Sequence, residues 1–479
     1  MSIFKKKYIH IIIMFLFTFG IGLLPPFGEM TDYGMDVLGV FIGTLYGWIF
    51  IDLLWPSLWG FFALSLTGYT TVLGGLMTAF GNATLVLTIV AAVFAEVLNK
   101  LGINQVIAYW LLSKKLFIGK PWLLITSICI LSVIMGLLGG SFAAIFLMWS
   151  VVQSIAALSG YEKGHRLTSM LLAFILYGVV TGGSVAPFQS AFIMYSGFFS
   201  QPTGLTVPAL QTVVIGLVYI IATLLIMIFF SKIVFKLDAS AFTTTEELCQ
   251  QYARYKSSRY QKVGLVLLLI YFVGLIIPEI FPTIPLFIFF KTLGIAGFSL
   301  LYMFVFCIWK DENGQPIVNL VSCFQNGIPW AVVILMGVTF PLANALEAEE
   351  VGFITTVNTL LTPLISHLGA TGLILISMFA LGIMTQFLHN IVIAALFYPI
   401  LAPIVINAGG NPYTFFFLVY MALACAYATP AASATAGLIF GHQDVKTGDS
   451  YLFGWMFLIV SFLVLLILFP ICNIFYPSI

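Results

Sequence analysis

The stretch TGLILISMFALGIMTQFLHNIVIAALFYPILAPIVIN, residues 371–407, decides how this chain folds. It runs 37 residues without a formally charged side chain, whereas a helix needs about 20 to cross about 30 Å of hydrocarbon. One tilted helix does not absorb that excess, and the polar pair His389-Asn390 interrupts it near its middle. Two half-length helices that enter and leave by one face fit the length. Their tip exposes backbone at membrane depth, which is tolerated where protein or a water-filled cavity covers it. Residues 122–158 repeat the pattern, equally long and broken at Gly139-Gly140-Ser141.

Around these two re-entrant hairpins the chain supplies a spanning frame. Of 479 residues, 61% are apolar and 7% charged, against roughly 25% charged in a soluble domain, which excludes a soluble enzyme. The net charge of +1 offers no field for nucleic acid, so the lipid bilayer is the partner that composition demands. Apolar runs at 8–24, 35–53, 56–72, 82–99, 168–199, 209–231, 263–278, 285–309, 329–346, 413–441 and 451–475 predict eleven transmembrane helices. The fold class is thus an all-α polytopic membrane protein. Residues 1–34, with Pro25-Pro26 at the exit of the first run, suit an uncleaved N-terminal helix.

Charge tests the layout, because Lys and Arg collect in cytoplasmic loops. With the N-terminus cytoplasmic, 17 of the 18 basic residues fall inside, Lys291 being the exception, and the C-terminus falls outside. Letting either hairpin cross fully would throw the later basic loops to the wrong face. A multi-pass protein of the cell membrane, with hairpins entering from opposite faces, is the expectation.

The chain also repeats itself. Phe80-Gly81-Asn82 and its following span have a counterpart, 244 residues on, at Phe324-Gln325-Asn326. The repeats span 35–231 and 263–479, face opposite ways, and are joined by a cytoplasmic linker at 232–262. Each holds one hairpin and one broken helix, 168–199 with its break at 181–187 and 413–441 with its break at 428–434. Inverted repeats with interrupted helices point to a secondary transporter whose site lies at the midplane.

The breaks end half-helices whose terminal N–H groups lack intrahelical partners, and an anion binds there without a lysine. No Lys or Arg sits at mid-depth. The substrate-binding candidates are therefore the backbone-shaping Gly140, Gly183, Pro187 and Pro430 together with the neutral donors and acceptors Ser141, Thr181, Ser184, Gln189, His389, Asn390, Thr429, Ser433 and Thr435. The six cysteines stand singly, and no HExxH or other ligand spacing marks a metal site. An intramembrane enzyme would need paired acids or a Ser/His arrangement at depth, and none is found. Glu96 with Lys100 four residues on reads as a helical ion pair. The clusters Phe287, Phe289, Phe290 and Phe415–Phe417 read as lipid-facing or interfacial filling.

The arrangement resembles the divalent anion/sodium symporter family of the ion transporter superfamily, over most of the chain. The second tip, His389-Asn390-Ile391 running to Pro399, keeps the asparagine and the proline of that family's Ser-Asn-Thr tip; the first, Gly140-Ser141-Phe142, keeps a serine. Gly182-Gly183 with Ala186-Pro187-Phe188-Gln189, Thr429-Pro430 through Ser433, and Trp48, Asp52 and Pro56 match further family features. The resemblance implies an elevator-type carrier, a homodimer, and a small organic anion as substrate, di- or tricarboxylates first. A carrier of a neutral or zwitterionic solute and a cation/proton antiporter of the superfamily are the alternatives. No cofactor is implied beyond sodium, which the family binds at the tips. Because Phe142 and Ile391 replace tip threonines and His389 a serine, weak or absent sodium dependence is expected, with proton coupling or anion exchange in its place.

Overall fold

The computed structural model describes residues 3–139, 142–243, 246–280, 283–311, 314–430 and 432–477. The first half holds α1 Ile3–Gly20, α2 Asp32–Phe50, α3 Trp55–Leu66, α4 Val72–Phe80, α5 Ala83–Leu101, α6 Ile103–Leu112, α7 Pro121–Gly139, α8 Phe142–Leu158, α9 Arg166–Ser184, α10 Ser190–Thr203 and α11 Ala209–Ile233. A short α12, Glu246–Ala253, lies in the linker. The second half holds α13 Arg259–Ile280, α14 Pro285–Ile308, α15 Leu320–Gly327, α16 Trp330–Glu347, α17 Phe353–Met384, α18 Asn390–Asn407, α19 Pro412–Leu423, α20 Ala434–Phe440 and α21 Thr447–Phe475. From α4 to α11 and from α15 to α21 the order is similar, namely short helix, long helix, helix pair, broken helix, long helix, with α6 standing apart before the first pair where 353–368 is joined to the arm in α17.

Among the described residues nine helices are long and apolar enough to span a membrane, and shorter apolar helices cover 8–23, 144–157, 369–384 and 412–423. Eleven full spans were expected. Seven of the nine lie on expected spans and two, 121–138 and 390–407, are arms of the helix pairs; the expected span 413–441 is divided at its break, which leaves α19 12 residues long, about 18 Å at 1.5 Å per residue.

A pair of helices lies where each hairpin is expected. The bases of α7 and α8 meet the same linker: the Gly119 N–H donates to Thr243 Oγ1 at 2.8 Å, and the Tyr161 hydroxyl donates to the Asp238 carbonyl at 3.2 Å. The first tip, Gly140-Ser141, lies outside the described residues. In the second pair the arms are the end of α17 and all of α18, and Gly410 just past α18 packs on Ala370 at the other base. The two bases sit at opposite ends of α21, whose 29 residues extend about 43 Å. At one end Gln153 of α8 donates to Asp444 at 2.6 Å; at the other Asn411 donates to the Pro477 carbonyl at 3.2 Å. The pairs therefore enter the bundle from opposite ends.

Small residues let the first pair pack. A Cβ on Gly178 or Gly182 would run into Ser132 or the Val133 carbonyl of α7, so these glycines, four apart, bring α9 against α7 as small residues do in membrane bundles. Helix α9 continues through Gly182-Gly183 and stops at Ser184, before Pro187, which has no N–H to give.

Two expectations change. No span or hairpin is predicted between 347 and 370, but 353–368 are helical and run into the hairpin arm across a kink at Gly369, φ 62°; glycine takes that conformation without a Cβ penalty. Phe415, Phe416 and Phe417 are fully buried instead of facing lipid, because α19 is wrapped on all sides by α17, α18 and α21.

Candidate functional site

The two broken helices and the second tip meet around two adjoining cavities. The larger, about 470 Å³, is lined by Gly183 and Ser184 at the end of α9, Gln189 and Ser190 at the start of α10, Glu96 and Asn99 of α5, Asn326–Pro329 before α16, and Thr435. The smaller, about 120 Å³, is lined by Ser184, Asn390, Ser433 and Thr435 together with Tyr195, Tyr420 and Tyr427. Ser184 and Thr435 belong to both.

Of the thirteen sequence candidates, Gly183, Ser184, Gln189, Asn390, Ser433 and Thr435 line these cavities. Gly140 and Ser141 lie outside the described residues. Thr181 is buried and bonds back to the Tyr177 carbonyl, so its hydroxyl serves its own helix. Thr429 donates to the Gln386 carbonyl. His389 is the N-cap of α18, its Nδ1 accepting from the Ile391 N–H at 3.3 Å. Pro187 and Pro430 lie in the breaks and shape backbone, away from both cavity walls.

The helix starts at the breaks differ in what they leave free. At α18 the Ile391 N–H is met by both His389 Nδ1, at 3.3 Å, and Asn390 Oδ1, at 2.9 Å. At α20 the Ser433 hydroxyl accepts from the Ala436 N–H at 3.0 Å. At α10 the N-cap Gln189 makes no capping bond, and its Nε2 is buried without a partner. That start carries the partial positive charge of a helix N-terminus. The hydroxyls of Tyr195 and Tyr427, on the smaller cavity, are likewise buried and unpartnered, while the Tyr420 hydroxyl donates to the Ser184 carbonyl at 2.6 Å. Neutral donors without a fixed basic residue suit a small solute bearing carboxylates.

Glu96 brings the one acidic group to the described walls of these cavities, held 3.7 Å from Lys100 Nζ. No group of three or more His, Cys, Asp or Glu that could hold a metal ion occurs among the described residues.

Sequence reasoning missed Gln386. It is 0% exposed, yet all four hydrogen-bonding capacities of its side chain are used. Nε2 donates to the Gly382 and Cys425 carbonyls at 2.8 and 3.0 Å, and Oε1 accepts from the N–H groups of Tyr427 and Ala428 at 3.2 and 2.8 Å. One side chain thus ties the second tip to the unwound segment after α19. Its signal was a glutamine inside an apolar hairpin, which must find partners when buried.

Residues 5–474 match the family described as the sodium:sulfate symporter transmembrane region. A sodium-dependent high-affinity dicarboxylate transporter 3 of Caenorhabditis elegans is 31% identical over 125 residues, 26% of this chain and 22% of that protein. Solute carrier family 13 member 2 of Mus musculus is 27% identical over 151 residues, 32% and 25% of the two chains. These alignments span about a quarter of the relatives' length. In fold the chain is similar to the Alcanivorax borkumensis YdaH transporter, with a TM-score of 0.61 at 13% identity, covering 84% of this chain and 87% of that one.

Proposed function

The chain belongs to the sodium:sulfate symporter transmembrane region family, and on that premise we propose that it is a secondary active transporter of small organic anions, di- or tricarboxylates first. It is a multi-pass membrane protein. The observation that carries the reading is the meeting of both broken helices at Ser184 and Thr435, on the wall shared by two cavities that hold neutral donors and an uncapped helix start. A carboxylate entering the larger cavity meets the N–H groups of α10 and the Gln189 amide, which are fixed dipoles that need no reorganisation. A second carboxylate reaches toward the tyrosine hydroxyls and Asn390.

The larger cavity adjoins the Glu96–Lys100 pair and the segment before α16, on the side of the basic loops. In the proposed orientation, N-terminus cytoplasmic and C-terminus outside, this is the inward-facing state of a cell-membrane carrier. The two hairpins with α9–α11 and α19–α21 form the moving core of an elevator, and α2–α5 with α13–α16 the stationary part, working as a homodimer. Sodium dependence is weak or absent in this reading, and proton coupling, with His389 at the tip, or anion exchange replaces it.

Uptake of labelled succinate into proteoliposomes, against sulfate and a panel of amino acids, tests the substrate class. Saturable succinate uptake supports it; amino-acid uptake alone would sink it. A zwitterion is the second reading, favoured by Glu96 on the cavity wall, where an ammonium group would find a carboxylate.

A further inference from the structure

We infer that the carboxamide of Gln386 occupies the place of a coupling cation at the second break, so that this break binds no sodium. The inference rests on the transporter reading above, but its test is a binding measurement that does not depend on the substrate.

A hard cation collects about six oxygens at about 2.3–2.6 Å, drawn from carbonyls, hydroxyls and amide oxygens. The second break presents such oxygens, and the structure commits them to protein donors. The Gly382 and Cys425 carbonyls receive the two N–H groups of Gln386 at 2.8 and 3.0 Å. The Gln386 carbonyl receives the Thr429 hydroxyl, and the Ala426 carbonyl receives the Ser433 hydroxyl at 2.8 Å. The amide oxygens are used as well: Gln386 Oε1 takes two backbone N–H groups, and Asn390 Oδ1 takes the Ile391 N–H. The Thr385 hydroxyl is buried without a partner, and one hydroxyl is far short of a coordination shell.

The geometry also says what the amide does there. Cys425 lies just past the end of α19, where helix-end carbonyls carry partial negative charge. Two positive N–H ends, one aimed at the helix-end Cys425 carbonyl and one at the Gly382 carbonyl of α17 four residues back, give the attraction that a cation would give, without a net charge. The nitrogen fills the space between those oxygens, so a cation could enter only by displacing it.

The experiment compares thermal unfolding of the purified protein in sodium and in potassium at equal ionic strength, for wild type, Gln386→Glu, Thr429→Val and Ser433→Ala. Gln386→Glu replaces the donor nitrogen with a carboxylate oxygen facing the same two carbonyls, an arrangement that calls for a cation. It is expected to gain a saturable, sodium-specific stabilisation at least about twice that of wild type. Any sodium response of wild type is expected to survive Thr429→Val and Ser433→Ala with its midpoint within about twofold, and a wild type indifferent to sodium agrees equally. A rise of about tenfold or more in the midpoint on either hydroxyl change overturns the inference, as does a folded Gln386→Glu protein with no added sodium response. Should Gln386→Glu fail to fold, the two hydroxyl variants still decide. Failure of succinate uptake would sink the substrate reading and leave this result standing.

Discussion

The two breaks, built in a similar order of elements, are finished in opposite ways. At the first, between α9 and α10, the N-cap Gln189 leaves its Nε2 unpartnered and the helix start uncapped beside a cavity of about 470 Å³. At the second, between α19 and α20, Gln386, Thr429 and Ser433 tie up the carbonyls and N–H groups that unwinding set free. A buried polar group left unpaired costs free energy, so an open break is expected where a ligand completes it and a closed one where the structure must hold without help. A glutamine serves both, once as an unpaired group and once as a tie.

The comparison can be broken by mutation. The largest effect is expected from Asn390→Ala and from Gly183→Trp, which remove the tip amide and fill the larger cavity. Both should lower uptake by about two orders of magnitude or more at equal membrane expression, and uptake near the wild-type rate in either would take that position out of the site. Next is Gln386→Leu. It strands the Ala428 N–H, at about 1–3 kcal/mol when buried and unsatisfied, and leaves the Tyr427 N–H and the Cys425 carbonyl only their bond to each other at 3.0 Å. A clear drop in melting temperature is expected, and an unchanged one would show that the second break is not held by this side chain.

Gln189→Leu should do the reverse. Since Nε2 has no partner in the structure, melting temperature is expected to stay within a degree or two, while dicarboxylate affinity falls about tenfold, the scale of one hydrogen bond to a charged group. Lost stability with unchanged affinity would make Gln189 a structural residue like Gln386. The smallest effect is expected from Glu96→Gln. Its partner Lys100 is half exposed, Glu96 itself 20% exposed, and a pair open to solvent on one side contributes about 0–1 kcal/mol, so stability should hardly move. Removing a negative charge from the wall should raise affinity for a dianion by a few-fold, and weaker binding would favour the zwitterion reading.

Much of this architecture was legible in the residues. The hairpin bounds follow from length, because 37 apolar residues exceed one crossing whatever their details, and the helix pairs lie within a residue or so of 122–158 and 371–407. Harder to read was helix 353–368, whose Thr355, Thr356, Asn358, Thr359 and Pro363 look like loop composition. Burial of Phe415–Phe417 was illegible for another reason: an all-apolar helix has no polar face to say whether lipid or protein surrounds it. In the site, the residues at the breaks could be named from glycine, proline and hydroxyl patterns. Their division of labour could not, since it depends on which hydroxyl reaches which carbonyl: Thr181 serves Tyr177, Thr429 serves Gln386, and Thr435 reaches a cavity.

The central claim is that a dianion binds where the open break faces the second tip. It is tested most directly by the thermal shift that succinate produces in purified wild type, Gln189→Leu and Asn390→Ala. A ligand that binds the folded state stabilises with the logarithm of its concentration over its dissociation constant. The account predicts a saturable shift in wild type, a midpoint raised about tenfold in Gln189→Leu, and no shift in Asn390→Ala. A shift of wild-type size and midpoint in both variants would contradict it.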